Sequence, residues 1–125
     1  MHRKRPKYLN LIEIKLPLPA VISILHRVSG VLLFFPGIPI LLYSLQMMLD
    51  SPQSHDEFHT VLARLPVKSV LVLFLWFFMH HLCAGIRYLA LDLNYGIELE
   101  QARMSSRLVL VAGVVLTLLV GIVIW

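Results

Sequence analysis

The chain is predicted to be an all-α membrane protein with three transmembrane helices, and three observations carry that prediction. Of its 125 residues, 58% are hydrophobic and only 14% charged, with mean hydropathy +0.81. A soluble domain sits near about 45–50% apolar and about 25% charged. Three runs without charged side chains, residues 28–49, 69–86 and 108–125, each reach 18 residues or more. Roughly 20 are needed to cross a hydrocarbon core of about 30 Å. What remains is short, so one membrane-anchor domain over residues 1–125 is expected, with helices at about 20–49, 66–93 and 105–125.

Residues 8–16 mix Leu9, Leu11, Ile12, Ile14 and Leu16 with Asn10, Glu13 and Lys15. They are too short and too polar to span, which suits a position among lipid headgroups. Pro17 and Pro19 then open the first helix, since proline is tolerated in a first turn. Pro36 and Pro39 interrupt its backbone bonding further along, and a neighbouring helix must cover the kink. Residues 50–66 read as a polar loop with a turn at Asp50-Ser51-Pro52. His55 and His59 lie in it at a spacing that could pair on a short helix as metal ligands, although exposed loop histidines are the ordinary case. The second helix ends at Asn94-Tyr95-Gly96, and Glu98, Glu100, Gln101 and Arg103 are expected in a short connection. The third helix reads as scaffold, with Gly113 and Gly121 near one face for close packing.

Charge gives the orientation. Eight basic residues (Arg3, Lys4, Arg5, Lys7, Lys15, Arg87, Arg103, Arg107) lie on the N-terminal side, against two, Arg64 and Lys68, opposite. The positive-inside bias therefore puts the N-terminus in the cytoplasm and the C-terminus in the periplasm. The net charge of +4 is topology and not affinity for nucleic acid. The single cysteine, Cys83, excludes an internal disulfide. Met1-His2-Arg3-Lys4-Arg5 is followed by no apolar core and cleavage site, so no removable signal is expected. The simplest location is a bacterial inner membrane.

Two polar clusters interrupt the apolar spans. On the second helix, His81, Gly85, Tyr88 and Asp92 stand at i, i+4, i+7 and i+11 and form one stripe, while His80, Ala84, Arg87 and Leu91 form its neighbour. At about 1.5 Å rise per residue, His81 lies roughly 16 Å from Asp92 and about 20 Å from Lys68, deep in hydrocarbon. A neutral imidazole there either hydrogen-bonds to a neighbour or ligates a metal such as haem iron, for which Ala84-Gly85 would leave room. No second deep histidine is evident on another helix. Early in the first helix, Ser23 and Arg27 share a face with His26 adjacent, expected near the level of Tyr88 and around a common cavity with it. Arg27 either snorkels to headgroups or, with Ser23, holds an electronegative ligand, where a low dielectric strengthens the charge. Tyr88 and Asp92 read equally as helix-end anchors.

Together these residues resemble the cytochrome b subunit of succinate dehydrogenase, one of two membrane anchors of respiratory complex II. The resemblance runs from Arg5-Pro6 and Pro17-Leu18-Pro19-Ala20 through Ser23-Ile24-Leu25-His26-Arg27-Val28-Ser29-Gly30, and resumes at His81-x-x-x-Gly85-Ile86-Arg87 and Asp92. It implies a helical bundle completed by a second anchor subunit, with an iron–sulfur and a flavoprotein subunit on the cytoplasmic side. It implies that His81 is the axial ligand of haem b, the second anchor supplying the other, and that His26 and Arg27 lie near the propionates. Ser23 and Arg27 would line the ubiquinone site, with Tyr88 and Asp92 beside it; Tyr88 stands where family members often carry histidine. No catalytic residue for succinate oxidation is expected in this chain. The alternatives are a structural anchor without haem, and the anchor of a fumarate reductase.

Overall fold

The computed structural model describes residue 10 and residues 13–125. The basic residues Arg3, Lys4, Arg5 and Lys7, the Arg5-Pro6 element, and Tyr8, Leu9, Leu11 and Ile12 of the headgroup-level segment lie outside the described residues. Of that segment, Asn10 accepts bonds from the N–H groups of Glu13 and Ile14, each at 3.2 Å, and so closes one turn.

Three helical spans, Leu18–Asp50, Leu65–Asp92 and Leu99–Ile124, are long and apolar enough to cross a membrane. The first is built from α1 (Leu18–Leu32), a π-helical turn (Leu33–Gly37) and α2 (Ile38–Asp50). Proline has no N–H and its ring crowds the carbonyl four residues back, so Pro36 cannot continue a regular helix. The widened turn around it absorbs the defect. Gly37 allows the closure, since a Cβ there would lie 3.3 Å from the Leu32 carbonyl oxygen.

Two expected loops are helical instead. Residues Pro52–Leu62 form α3. Ser51 caps it by accepting from the Ser54 N–H at 3.1 Å, while the Ser51 N–H donates to Ser54 Oγ at 3.0 Å. With Pro52 already preset for the first position, this reciprocal cap stabilises a helix where only a turn was expected. The His55 and His59 rings do meet on it, 4.5 Å apart. Among the described residues, however, no group of three or more potential metal ligands forms.

The second difference lies after α4 (Leu65–Asp92). Asn94 takes a left-handed φ of 62°, and the Tyr95 and Asn94 N–H groups bond back to the Ala90 and Leu91 carbonyls at 2.9 Å. This cap ends α4 abruptly. Gly96, at φ 73°, completes the reversal, and α5 begins at once (Leu99–Ile124). Glu100, Gln101 and Arg103 are therefore helical, with Glu100 in the first turn, where a carboxylate suits the helix dipole.

α4 packs against both α1 and α5, and α1 also touches α5. The start of α4 and the end of α5 meet where Lys68 Nζ stands 6.0 Å from the Trp125 ring. Few side chains are buried among the described residues. Ile22, Ala84 and Val109 are the apolar ones, joined by Ser29, His80, Arg87, Ser106 and Thr117. The large apolar side chains face outward instead, as expected where the surroundings are hydrocarbon and helices associate through small and polar residues. Ser106 and Thr117 satisfy their hydroxyls on the Ala102 and Gly113 carbonyls, each at 2.7 Å. Arg87 crosses from α4 to α5, donating to Ser105 Oγ at 2.9 Å and to the Ala102 carbonyl at 3.3 Å.

Of the two glycines expected at a close crossing, only Gly113 is there. A Cβ on it would meet His80 Cα at 3.4 Å, whereas one on Gly121 would meet nothing within 4 Å. Gly113→Ala should accordingly be tolerated, and Gly113→Leu should cost about 1–3 kcal/mol by forcing α4 and α5 apart. Thermal unfolding in detergent, followed by helical circular dichroism, checks the contrast.

Candidate functional site

The polar residues converge where α1 crosses α4. His26 on α1 projects into the notch left by Gly85 on α4; a Cβ on Gly85 would lie 3.6 Å from His26 Nε2. From that notch the His26 ring stacks on His81, with centroids 4.2 Å apart and planes 10° apart. It also meets the Tyr88 ring at 5.2 Å. The stripe of His81, Gly85 and Tyr88 thus closes around a second histidine. His26, expected near the level of Tyr88, is thus a histidine on another helix that reaches His81 as well.

His81 is held from one side. Its Nδ1 lies 3.0 Å from Ser29 Oγ and 3.2 Å from the His26 carbonyl oxygen. The Ser29 hydroxyl also lies 2.9 Å from that carbonyl. His81 also borders an apolar cavity of about 820 Å³, whose walls include Phe34, Gly37, Phe74 and Phe78. Gly30 shapes this wall, since a Cβ there would lie only 3.1 Å from His81 Cε1. The room beside His81 therefore comes from Gly30. It does not come from Ala84-Gly85: Ala84 is fully buried in the helix core and the space over Gly85 is taken by His26.

His80 points the other way. It is fully buried, packed on Gly113 and stacked against Trp76 at 5.6 Å. Both its ring nitrogens lack a partner among the described residues. Two adjacent histidines are thus divided between a cavity wall and a helix–helix core.

The remaining candidates are not gathered around the cavity. Ser23 is half-buried and Arg27 exposed, one turn apart on α1, and neither lines the wall that His81 faces. Asp92 is exposed at the end of α4. The Tyr88 hydroxyl is buried and without a partner among the described residues, with the Arg87 guanidinium carbon 5.4 Å from its ring. Ser29 and Gly30, in contrast, stand in the stretch that carries the family resemblance but have no expected role there, and both contact His81. Ser29 follows the buried Ile22 by seven residues, a helical repeat that places both on one face.

The sequence model of the succinate dehydrogenase/fumarate reductase transmembrane subunit matches residues 1–120. The chain belongs to this family. Among its relatives is the succinate dehydrogenase cytochrome b556 subunit of Coxiella burnetii, 34% identical over 100% of both chains. The subunit of the same name from Rickettsia typhi is 33% identical over 98% of this chain and 94% of its own. That from Paracoccus denitrificans is 34% identical over 95% and 91%. Three apolar helical spans and a transmembrane family make this member a multi-pass membrane protein, the membrane-anchor type of subunit in that enzyme complex.

In this family member the orphaned imidazole of His80 yields a stability test. His80→Leu removes two unpaired buried polar atoms at similar volume, so it should leave the thermal midpoint of the chain unchanged or raised. His80→Ala leaves a void beside Gly113 and should cost about 2 kcal/mol or more. Unfolding midpoints of the two variants in one detergent compare the effects.

Proposed function

We propose that this chain is the haem b-binding membrane anchor of a succinate:ubiquinone oxidoreductase in a bacterial inner membrane. One observation carries the reading: His81 is braced at Nδ1 against α1 while its ring borders a large apolar cavity. A metal-bound imidazole commonly has its second nitrogen engaged in this way, and the flat aromatic and glycine walls suit a macrocycle. The names of the relatives, cytochrome b556 subunits, support the same cofactor. When bound, haem supplies one-electron redox capacity within the membrane. His81 would hold its iron, with the other axial position filled by a second anchor subunit. His26, and Arg27 beside it, would meet the propionates.

Electrons from succinate would be taken up by a flavoprotein subunit and delivered through an iron–sulfur subunit at the cytoplasmic face, where the N-terminus lies and from which the C-terminus is remote. Quinone would bind near Ser23 and Arg27, with Tyr88 and Asp92 at its margin. Arg27 is exposed on α1, and its charge would offset the negative charge that reduction places on the quinone oxygens. Ser23 would donate a hydrogen bond one turn away.

Two measurements test this reading. His81→Ala should lower the haem recovered per flavin in the purified complex by at least about tenfold, and an unchanged haem spectrum would remove His81 as the ligand. Arg27→Leu and Ser23→Ala should slow ubiquinone reduction by up to about 10²-fold, the scale of losing one such donor. Succinate oxidation by an artificial acceptor should persist. Parental quinone turnover in variants with normal haem and subunit ratios would place the quinone site elsewhere.

A further inference from the structure

The orientation of His81 depends on a residue with no role assigned so far. Ser29 is fully buried and its hydroxyl sits between two groups, the His26 carbonyl at 2.9 Å and His81 Nδ1 at 3.0 Å. A carbonyl oxygen can only accept. The hydroxyl proton is therefore best spent on that carbonyl, which leaves the Ser29 oxygen lone pairs facing His81. Nδ1 also stands 3.2 Å from the same carbonyl oxygen. Had Nδ1 carried a lone pair, it would confront that acceptor with nothing between them. With a proton on Nδ1, both short contacts become hydrogen bonds and Nε2 keeps the free lone pair.

We infer that Ser29 is a positioning residue that fixes the proton of His81 on Nδ1 and thereby presents the Nε2 lone pair to a metal centre in the adjoining cavity. The inference rests on the proposed role of His81 and adds to it the group that sets the ligand's tautomer and donor strength. Acceptors on the distal N–H of a ligating imidazole raise its basicity. A more basic ligand favours ferric over ferrous iron, so removing the Ser29 oxygen shifts the balance toward ferrous. The His26 carbonyl remains in such a variant, so the effect falls below that of losing the whole second-nitrogen environment.

The test uses the whole complex, purified through a tag on this chain, with parental, Ser29→Ala and Ser29→Thr forms compared by potentiometric titration of the haem and by low-temperature electron paramagnetic resonance. Ser29→Ala should raise the ferrous-to-ferric ratio at a fixed ambient potential by about fivefold, equal to a potential about 40 mV higher at 59 mV per decade, and should shift the ferric g-values. Ser29→Thr retains a hydroxyl able to bond the carbonyl of the preceding turn, and should stay within about twofold of the parent. Loss of haem in Ser29→Ala with retention in Ser29→Thr also supports the role. A potential and g-values in Ser29→Ala matching the parent overturn it, as does an equal shift or equal haem loss in both variants. Should Ser29→Ala not assemble, Ser29→Cys, with a weak acceptor of similar size, carries the comparison with the same expected direction. His81→Ala keeps the two failures apart. A normal haem spectrum there defeats the ligand assignment itself, whereas haem loss there with an unmoved Ser29→Ala defeats only the role of Ser29.

Discussion

Hydrocarbon around a helix bundle withdraws the force that assembles soluble cores, because a leucine gains little by turning from lipid to another leucine. What remains is close contact between backbones and hydrogen bonds that cannot be made to the surroundings. Both are concentrated where α4 meets its neighbours. On one side Gly113 lets α5 approach His80, and Arg87 is bonded to Ser105 and Ala102. On the other, His26 sits over Gly85 and His81 is bonded to α1. The polar residues that mark the candidate site are therefore also part of what joins α1 to α4.

That overlap explains the division of labour between the paired histidines. Adjacent residues on a helix point about 100° apart, so His80 and His81 cannot face the same neighbour. α1 and α5 both pack on α4, and the 100° step sends one imidazole toward each. The one toward α1 borders a cavity, whose walls include Gly30 and, from the π-turn, Leu33, Phe34 and Gly37.

The spans, and the stripe of His81, Gly85 and Tyr88, were legible in the sequence because hydropathy and the helical repeat act within one segment. Asp92 belongs to that stripe by register, yet it is the last residue of α4 and is exposed. α3 escaped notice because its cap pairs Ser51 with Ser54, where the familiar signature has glutamate or glutamine at the second position. The early start of α5 depended on Asn94 accepting a left-handed conformation, a choice that asparagine permits but does not compel. Ser29 and the depth of His26 were hidden for another reason. Each takes its meaning from a contact between α1 and α4, and no periodicity within α1 specifies which level of α4 it will face.

The length of the first span has a mechanical consequence. Its 33 residues would measure about 50 Å as a straight helix, well beyond a hydrocarbon core of about 30 Å. A span that is too long tilts or bends, and bends gather at prolines and π-turns. Pro36 and the π-turn lie between the residues that contact His81 and the whole of α2. Adjustment to a thinner or thicker bilayer can then be taken up as a swing of α2 about that joint, with α1 left in register against α4. The fold thus separates the segment that fits the membrane from the segment that holds the histidines.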